Sequence, residues 1–295
     1  MLKFRPQLIF KGGTSLAKVF RVVDRFSEDV DLSLSRSDLG FGDEHDPEQA
    51  GIGKNEARRR LEALVERCRR TIEEKFLPGL RQDFASVLGG SGWSLDLDKD
   101  DPQTLVFAYP ESDATSKLRY IRPAIRLEMG ARSDDWPAVE AELTPYAAED
   151  FPGVFAQPKC LVRTLSAERT FWEKATLLHA ECHRPATKAT AERHSRHYYD
   201  LYCLSRHAIG TEALKRGDLL ERVVQHKSFF FASAWADYAT AKPGTFRLVP
   251  GERALVVLSK DYAEMQAMMF GGSPRWDDII AELGRLEAQI NGTRS

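Results

Sequence analysis

Two carboxylates placed two residues apart in an alternating run constrain this chain more than any other feature. Asp29-Val30-Asp31-Leu32-Ser33-Leu34 puts Val30, Leu32 and Leu34 on one side and Asp29, Asp31 and Ser33 on the other, the period-two pattern of a half-buried strand. Asp29 and Asp31 therefore offer hard oxygen ligands from one face. Mg²⁺ characteristically takes one or two carboxylates with phosphate oxygens and water, and paired metals can clamp both oxygens of an in-line displacement. Alone, the pair also suits an exposed strand edge that carries charge to discourage aggregation. The upstream residues narrow that choice. Leu8-Ile9-Phe10 is a short apolar run, Gly12-Gly13-Thr14-Ser15 follows it, and residues 16–23 carry apolar side chains at helical spacing. Strand, glycine turn and helix start is the predicted order. Glycines let the backbone approach a phosphate, a helix start offers free N–H groups, and the Thr14 and Ser15 hydroxyls add donors.

Gly12-Gly13-Thr14-Ser15-Leu16, followed by Arg25-Phe26-Ser27-Glu28-Asp29-Val30-Asp31-Leu32, resembles the AbiEii/AbiGii-type toxins. These are nucleotidyltransferases related at superfamily level to DNA polymerase β and found as the toxin half of bacterial toxin–antitoxin pairs. Their pattern is a Gly-Gly-Thr-[Ala/Ser]-Leu turn ahead of Arg-Phe-Ser-x-Asp-x-Asp-Leu. The resemblance implies transfer of a nucleoside monophosphate from an NTP to an acceptor, with release of pyrophosphate. It also implies Mg²⁺ on Asp29 and Asp31, phosphates at Gly12, Gly13, Thr14 and Ser15, and a cognate antitoxin as partner. Family members commonly begin with a helical segment before the glycine turn, whereas this chain reaches Gly12 almost at once, so it either starts internally or is a short member.

Such enzymes carry a third carboxylate on a later strand. Residues 121–130 alternate so that Arg126 and Glu128 share one face and Ile125, Leu127 and Met129 the other. Glu128 is the candidate, either as a metal ligand or as a base that takes the proton from the attacking hydroxyl. By themselves, Arg126 and Glu128 equally suit a surface ion pair of little worth. Arg169-Thr170-Phe171-Trp172-Glu173-Lys174 resembles the family's Arg-x-Phe-x-Glu-Lys segment, whose lysine sits at the nucleotide. Lys174 would then neutralise triphosphate charge and help pyrophosphate leave. The plainer alternative is a helix with Phe171, Ala175 and Leu178 as its apolar stripe and Glu173 and Lys174 in solvent. Arg196-His197-Tyr198-Tyr199-Asp200-Leu201 resembles the family's Arg-x-Tyr-Asp-Leu block, which carries over Asp200. Its role is open between orienting Lys174, holding a basic substrate-contacting residue and bonding the nucleotide. Tyr198, Tyr199 and Tyr202 read as packing residues.

The expected fold class is α+β: a small mixed sheet, the nucleotidyltransferase core, in residues 1–150, and a helical half in residues 151–295 that completes the active-site cleft with Lys174 and Asp200. Strands are predicted around residues 93–97, 104–109 and 121–129. A long helix carries Leu61, Leu64, Val65, Cys68 and Ile72 on one stripe, with Arg58, Arg59, Arg69 and Arg70 largely opposite on a solvated face. Ser166 is placed to cap a helix through Trp172 to His179, and the chain is expected to be helical from residue 153 onward. Residues 39–55 read as a flexible connector or a lid, and residues 182–197 as an exposed, mobile basic loop that either touches an RNA acceptor's phosphates or has no partner. His179, Cys182, His183, His194 and His197 also lie at spacings that could gather a zinc ion, although no Cys-x-x-Cys accompanies them.

The chain has 295 residues, a formal net charge of −2 and four cysteines without a disulfide framework. A cytoplasmic globular enzyme fits this, with no membrane partner, and nucleic-acid contact would come from a local basic patch. The leading expectation is a toxin that adds nucleotides to RNA, tRNA being the acceptor the resemblance implies, and so inhibits growth. The alternatives are a small-molecule or protein hydroxyl as acceptor, or a catalytically silent nucleic-acid-binding module. Ser27 beside the carboxylates is open to phosphate control or to a simple turn hydrogen bond.

Overall fold

The computed structural model describes residues 8–27, 29–110 and 124–292; Glu28 and residues 121–123, used in the sequence readings, lie outside them. The chain divides into two compact units, one of Met1–Val19 with Ser27–Leu165 and the other of Phe20–Phe26 with Ser166–Ser295.

The first unit is built on strands β1 (Leu8–Lys11), β2 (Asp29–Leu34), β3 (Ser94–Leu97), β4 (Thr104–Ala108), β5 (Ala124–Gly130), β6 (Ala138–Leu143) and β7 (Cys160–Leu165). They form one mixed sheet in the order β3-β4-β5-β2-β1-β7-β6. β2 runs antiparallel to β1 and parallel to β5, and β1 runs parallel to β7. A parallel neighbour needs a long crossover, and the stretch between β2 and β5 supplies it with α2 (Lys54–Thr71) and α3 (Leu77–Leu88). These two join through a wider turn at Ile72–Phe76. Leu64, Cys68 and Ile72 are fully buried, the four-residue spacing of one helix face. The opposite arginines lie in surface pairs, Arg59 with Glu56 at 2.8 Å and Arg70 with Glu66 at 2.7 Å.

In the second unit, helix α5 (Ala167–Cys182) is central. Phe171, Trp172, Ala175 and Leu178 are all buried, and the Trp172 indole donates to the Ala213 carbonyl at 3.0 Å. Ser166 caps it as expected, accepting from the Arg169 N–H at 3.2 Å. Around it stand α6 (Ser195–Arg206), α7 (Ala208–Leu214), α8 (Gly217–Phe230), α9 (Glu252–Met265) and α10 (Trp276–Ile290).

Four expectations change. The first helix, α1 (Gly12–Lys18), begins on the glycine itself and stops at Lys18, not at residue 23. Arg21 takes a left-handed φ of 52°, and Val23 and Arg25 are buried in the second unit. Strand structure persists past residue 153, because the Cys160–Leu165 run pairs with β6 over its whole length. Residues 39–55 are pinned: Arg36 bonds Asp46 at 3.3 Å and Glu48 at 3.2 Å, and Arg60 donates to the Glu44 carbonyl at 2.6 Å. Residues 182–197 are likewise organised, with the Arg193 and Ser195 N–H groups both on the Asp261 carboxylate and Arg184 stacked 4.5 Å over Trp235. Among the described residues no helix is long and apolar enough to cross a membrane.

At Gly210 a Cβ would lie 2.5 Å from the Leu204 carbonyl oxygen. Gly210→Ala should therefore push α7 off the end of α6 and cost about 1–3 kcal/mol, seen as a lower urea midpoint with an unchanged slope.

Candidate active site

The sheet unit gathers the expected acidic residues. In the β2–β5 ladder Asp29 lies opposite Arg126 and Asp31 opposite Glu128, while Lys11 of β1 lies opposite Asp31. Register thus places Lys11, Asp29, Asp31, Arg126 and Glu128 on one face. Lys11 Nζ is 3.9 Å from the Asp31 carboxylate. Arg126 lies at the centre of the acidic groups: its Nε is 4.0 Å from Asp29 and 3.6 Å from Glu128, and its Nη1 is 2.6 Å from Asp98. Asp98 also accepts from the Asp100 N–H at 2.8 Å and the Asp101 N–H at 3.1 Å. These backbone bonds and Arg126 hold its carboxyl below the usual carboxylate range. Asp98 escaped the sequence reading because it belongs to the turn after β3, far from any motif.

The glycine motif works differently from the expectation. Gly12 has a φ of 74°, and a Cβ there would fall on the Asp31 carboxylate. Its missing side chain is what lets Asp31 pack against the start of α1. The Thr14 hydroxyl donates to the Asp29 main-chain carbonyl, and the fully buried Ser15 hydroxyl donates to the Gly12 carbonyl at 2.9 Å. A hydroxyl has one proton to give, so neither is a donor to phosphate in this arrangement. The N–H groups of the helix start remain the donors available there.

Asp29 and Asp31 fit a hard divalent cation, since Mg²⁺ is commonly held by one or two carboxylates together with substrate phosphates. Among the described residues no three His, Cys, Asp or Glu side chains converge as a metal-holding group. Glu128, although next to Asp31 in the ladder, turns to Arg126 and is 43 % exposed. The zinc possibility fails on the same ground. His179 Nδ1 accepts the Arg247 N–H at 3.1 Å while Nε2 faces the Asp237 carbonyl at 3.2 Å, and burial pushes the Cys182 thiol up to about 12.

The helical unit gathers the others. Lys174 is buried at 8 % exposure, not on a solvated helix face. Its Nζ is 2.9 Å from Asp200 Oδ2 and 2.9 Å from His197 Nδ1. Asp200 is fully buried and also receives Arg25, whose Nε donates to Oδ1 at 2.8 Å and Nη2 to Oδ2 at 2.9 Å. Burial alone would raise the Asp200 pKa, but Arg25 and Lys174 hold it well below the usual carboxylate range. Burial lowers that of Lys174, with Asp200 opposing the shift. In the structure Asp200 is bound by both Lys174 and Arg25. Tyr198 and Tyr199 are buried packing residues, as expected. Arg25 and His197 lie within the quoted motifs, but sequence reasoning assigned Arg25 no role and His197 only that of a candidate zinc ligand.

Paired carboxylates on a strand beside a glycine-led helix, in a mixed sheet followed by a helical half, are the frame of a nucleotidyltransferase. The chain belongs to the nucleotidyl transferase AbiEii toxin family of type IV toxin–antitoxin systems, whose pattern it matches over residues 2–282. Membership implies an NTP substrate and an antitoxin partner. Among solved structures it is similar to MenT4, the nucleotidyltransferase toxin Rv2826c from Mycobacterium tuberculosis H37Rv, at 15 % identity and a TM-score of 0.42, over 97 % of this chain and 83 % of that one. No curated protein is significantly similar to it.

Gly12→Ala should displace Asp31 and strain the backbone, with a loss of about 1–3 kcal/mol measurable by denaturant unfolding. Asp200→Asn leaves Arg25 and Lys174 buried without their counter-charge and should cost about 3–5 kcal/mol. The sign with pH follows from the depressed carboxyl. Its stabilisation is complete above the ordinary Asp range near about 3.9 and is lost as pH falls toward the folded value. Unfolding curves of the wild type should show that acid limb, and those of Asp200→Asn should show less of it.

Proposed function

We propose that this toxin transfers a nucleoside monophosphate from an NTP to an RNA acceptor, tRNA in particular, releasing pyrophosphate and inhibiting growth. The observation that carries the reading is the packing of the Asp31 carboxylate against side-chain-free Gly12, with Asp29 beside it on β2. Asp29 and Asp31 would hold Mg²⁺, which when bound supplies Lewis-acid charge to the phosphoryl oxygens. Gly12, Gly13, Thr14 and Ser15 bind phosphate through main-chain N–H groups at the start of α1. Glu128 accepts the proton of the attacking hydroxyl. Lys174 offsets the negative charge that builds on the departing pyrophosphate, and Asp200 keeps that lysine in place.

The RNA acceptor finds support in the helical unit. A cavity of about 620 Å³ is lined there by Arg184, Lys188 and Arg253 beside the carboxylates of Glu181 and Glu252, and its three cations suit the phosphates of a nucleotide strand. A small-molecule or protein acceptor has no comparable observation in its favour.

Purified protein incubated with total RNA, Mg²⁺ and each α-labelled NTP in turn should give a labelled RNA band. Asp29→Ala and Lys174→Ala, folded as judged by circular dichroism, should give none, and their induction in a bacterial host should no longer arrest growth. Label on protein or on a small molecule with none on RNA would overturn the acceptor assignment. Transfer by a folded Asp29→Ala protein would overturn the site.

A further inference from the structure

Lys174 meets two acceptors, and both come from one helix. His197 and Asp200 stand three residues apart on α6, the spacing that sets side chains on a common face. His197 Nδ1 and Asp200 Oδ2 each lie 2.9 Å from the lysine Nζ. An ammonium has three donors and no acceptor, so the proton in the His197 contact belongs to the lysine and Nδ1 is the bare nitrogen. The neutral ring is then the Nε2–H tautomer. The environment favours that state, because burial first, and then the charges of Lys174 and Arg196, keep the imidazolium well below its usual range.

Asp200 by itself would leave the ammonium free to turn about one contact. Arg25 grips both carboxylate oxygens, which fixes the acid, but a single ion pair sets only one direction at Nζ. A second acceptor sets another, and two directions define where the third N–H points. We propose that His197 is a positioning residue for Lys174, accepting one ammonium proton at Nδ1 so that, with Asp200, it holds the remaining N–H toward the phosphate charge of the nucleotide. The proposal rests on the assignment of Lys174 to the triphosphate made under Proposed function.

Two measurements on the full chain test it. Long-range ¹H–¹⁵N correlation spectra, with the His197 ring assigned by its loss in His197→Asn, should show the neutral Nε2–H tautomer at neutral pH. The Nδ1 shift should move in Lys174→Met. An Nδ1–H tautomer, an imidazolium or an Nδ1 shift indifferent to Lys174→Met would overturn the proposal, whatever the enzyme's activity. In the labelled-NTP assay His197→Leu should lower kcat by about tenfold to a hundredfold with little change in KM. His197→Asn, which returns an acceptor near the Nδ1 position, should recover most of it. Wild-type rates in His197→Leu, or equal losses in the Leu and Asn variants, would reduce the residue to packing and overturn the proposal. Absence of transfer by the wild type would instead sink the functional reading, and the spectra would still decide the role of His197.

Discussion

An ionised carboxylate with no exposure to water must find its compensation inside the protein, and Asp200 finds it in residues far apart in the chain. Arg25 closes a bidentate fork on it and Lys174 adds a third contact. Breaking such a buried arrangement is far more costly than never building it, so each partner constrains the others. Arg25 in turn fixes its neighbours. The Asp24 N–H donates to the Tyr199 hydroxyl at 3.3 Å, the Phe26 N–H to the Met268 carbonyl at 2.7 Å, and the Phe26 and Phe270 rings meet edge to face. One buried negative charge thus decides where a seven-residue stretch of the N-terminal region packs and how the Lys174 ammonium is held.

The sheet unit solves its own problem by leaving something out. Two carboxylates on one face of β2 need room beside a helix start, and Gly12 gives it by having no side chain. Thr14 then ties the helix to the backbone of Asp29. The invariant element of this design is main-chain geometry. The hydroxyls that look like ligand groups in a linear reading are struts that hold the backbone for whatever approaches it.

Patterns that depend on neighbours in sequence were legible. The alternation of β2, the apolar stripe of α2 and the Ser166 cap each follow from spacing alone, and the sharing of one strand face by Asp29 and Asp31 follows from period two, whereas Glu128 joins them only through the β2–β5 pairing. What escaped depended on partners elsewhere. The apolar spacing of residues 16–23 looks helical until Val23 and Arg25 are seen buried beyond the helix end. Strand β7 shows no period-two signal over Cys160–Leu165, where three apolar residues run together, so it was absorbed into the long helical region beside it. Lys174 reads as a surface residue because charge normally seeks water; only Asp200 and His197, brought by another helix, make its burial tolerable. Glu128 sits where period two puts it, but Arg126 decides which way its carboxylate turns.

The bond between Arg25 and Asp200 spans 175 residues, and synthesis runs from the N-terminus. At ribosomal speeds of about 5–20 residues per second, roughly 9–35 s separate the appearance of the arginine from that of its carboxylate. Asp29 and Asp31 follow the arginine almost at once, whereas Lys174 is made late and has no acid to orient it until Asp200 follows. The nascent chain therefore carries Asp29 and Asp31 long before it carries an organised Lys174, and a chain released before residue 200 lacks the acid that holds that lysine.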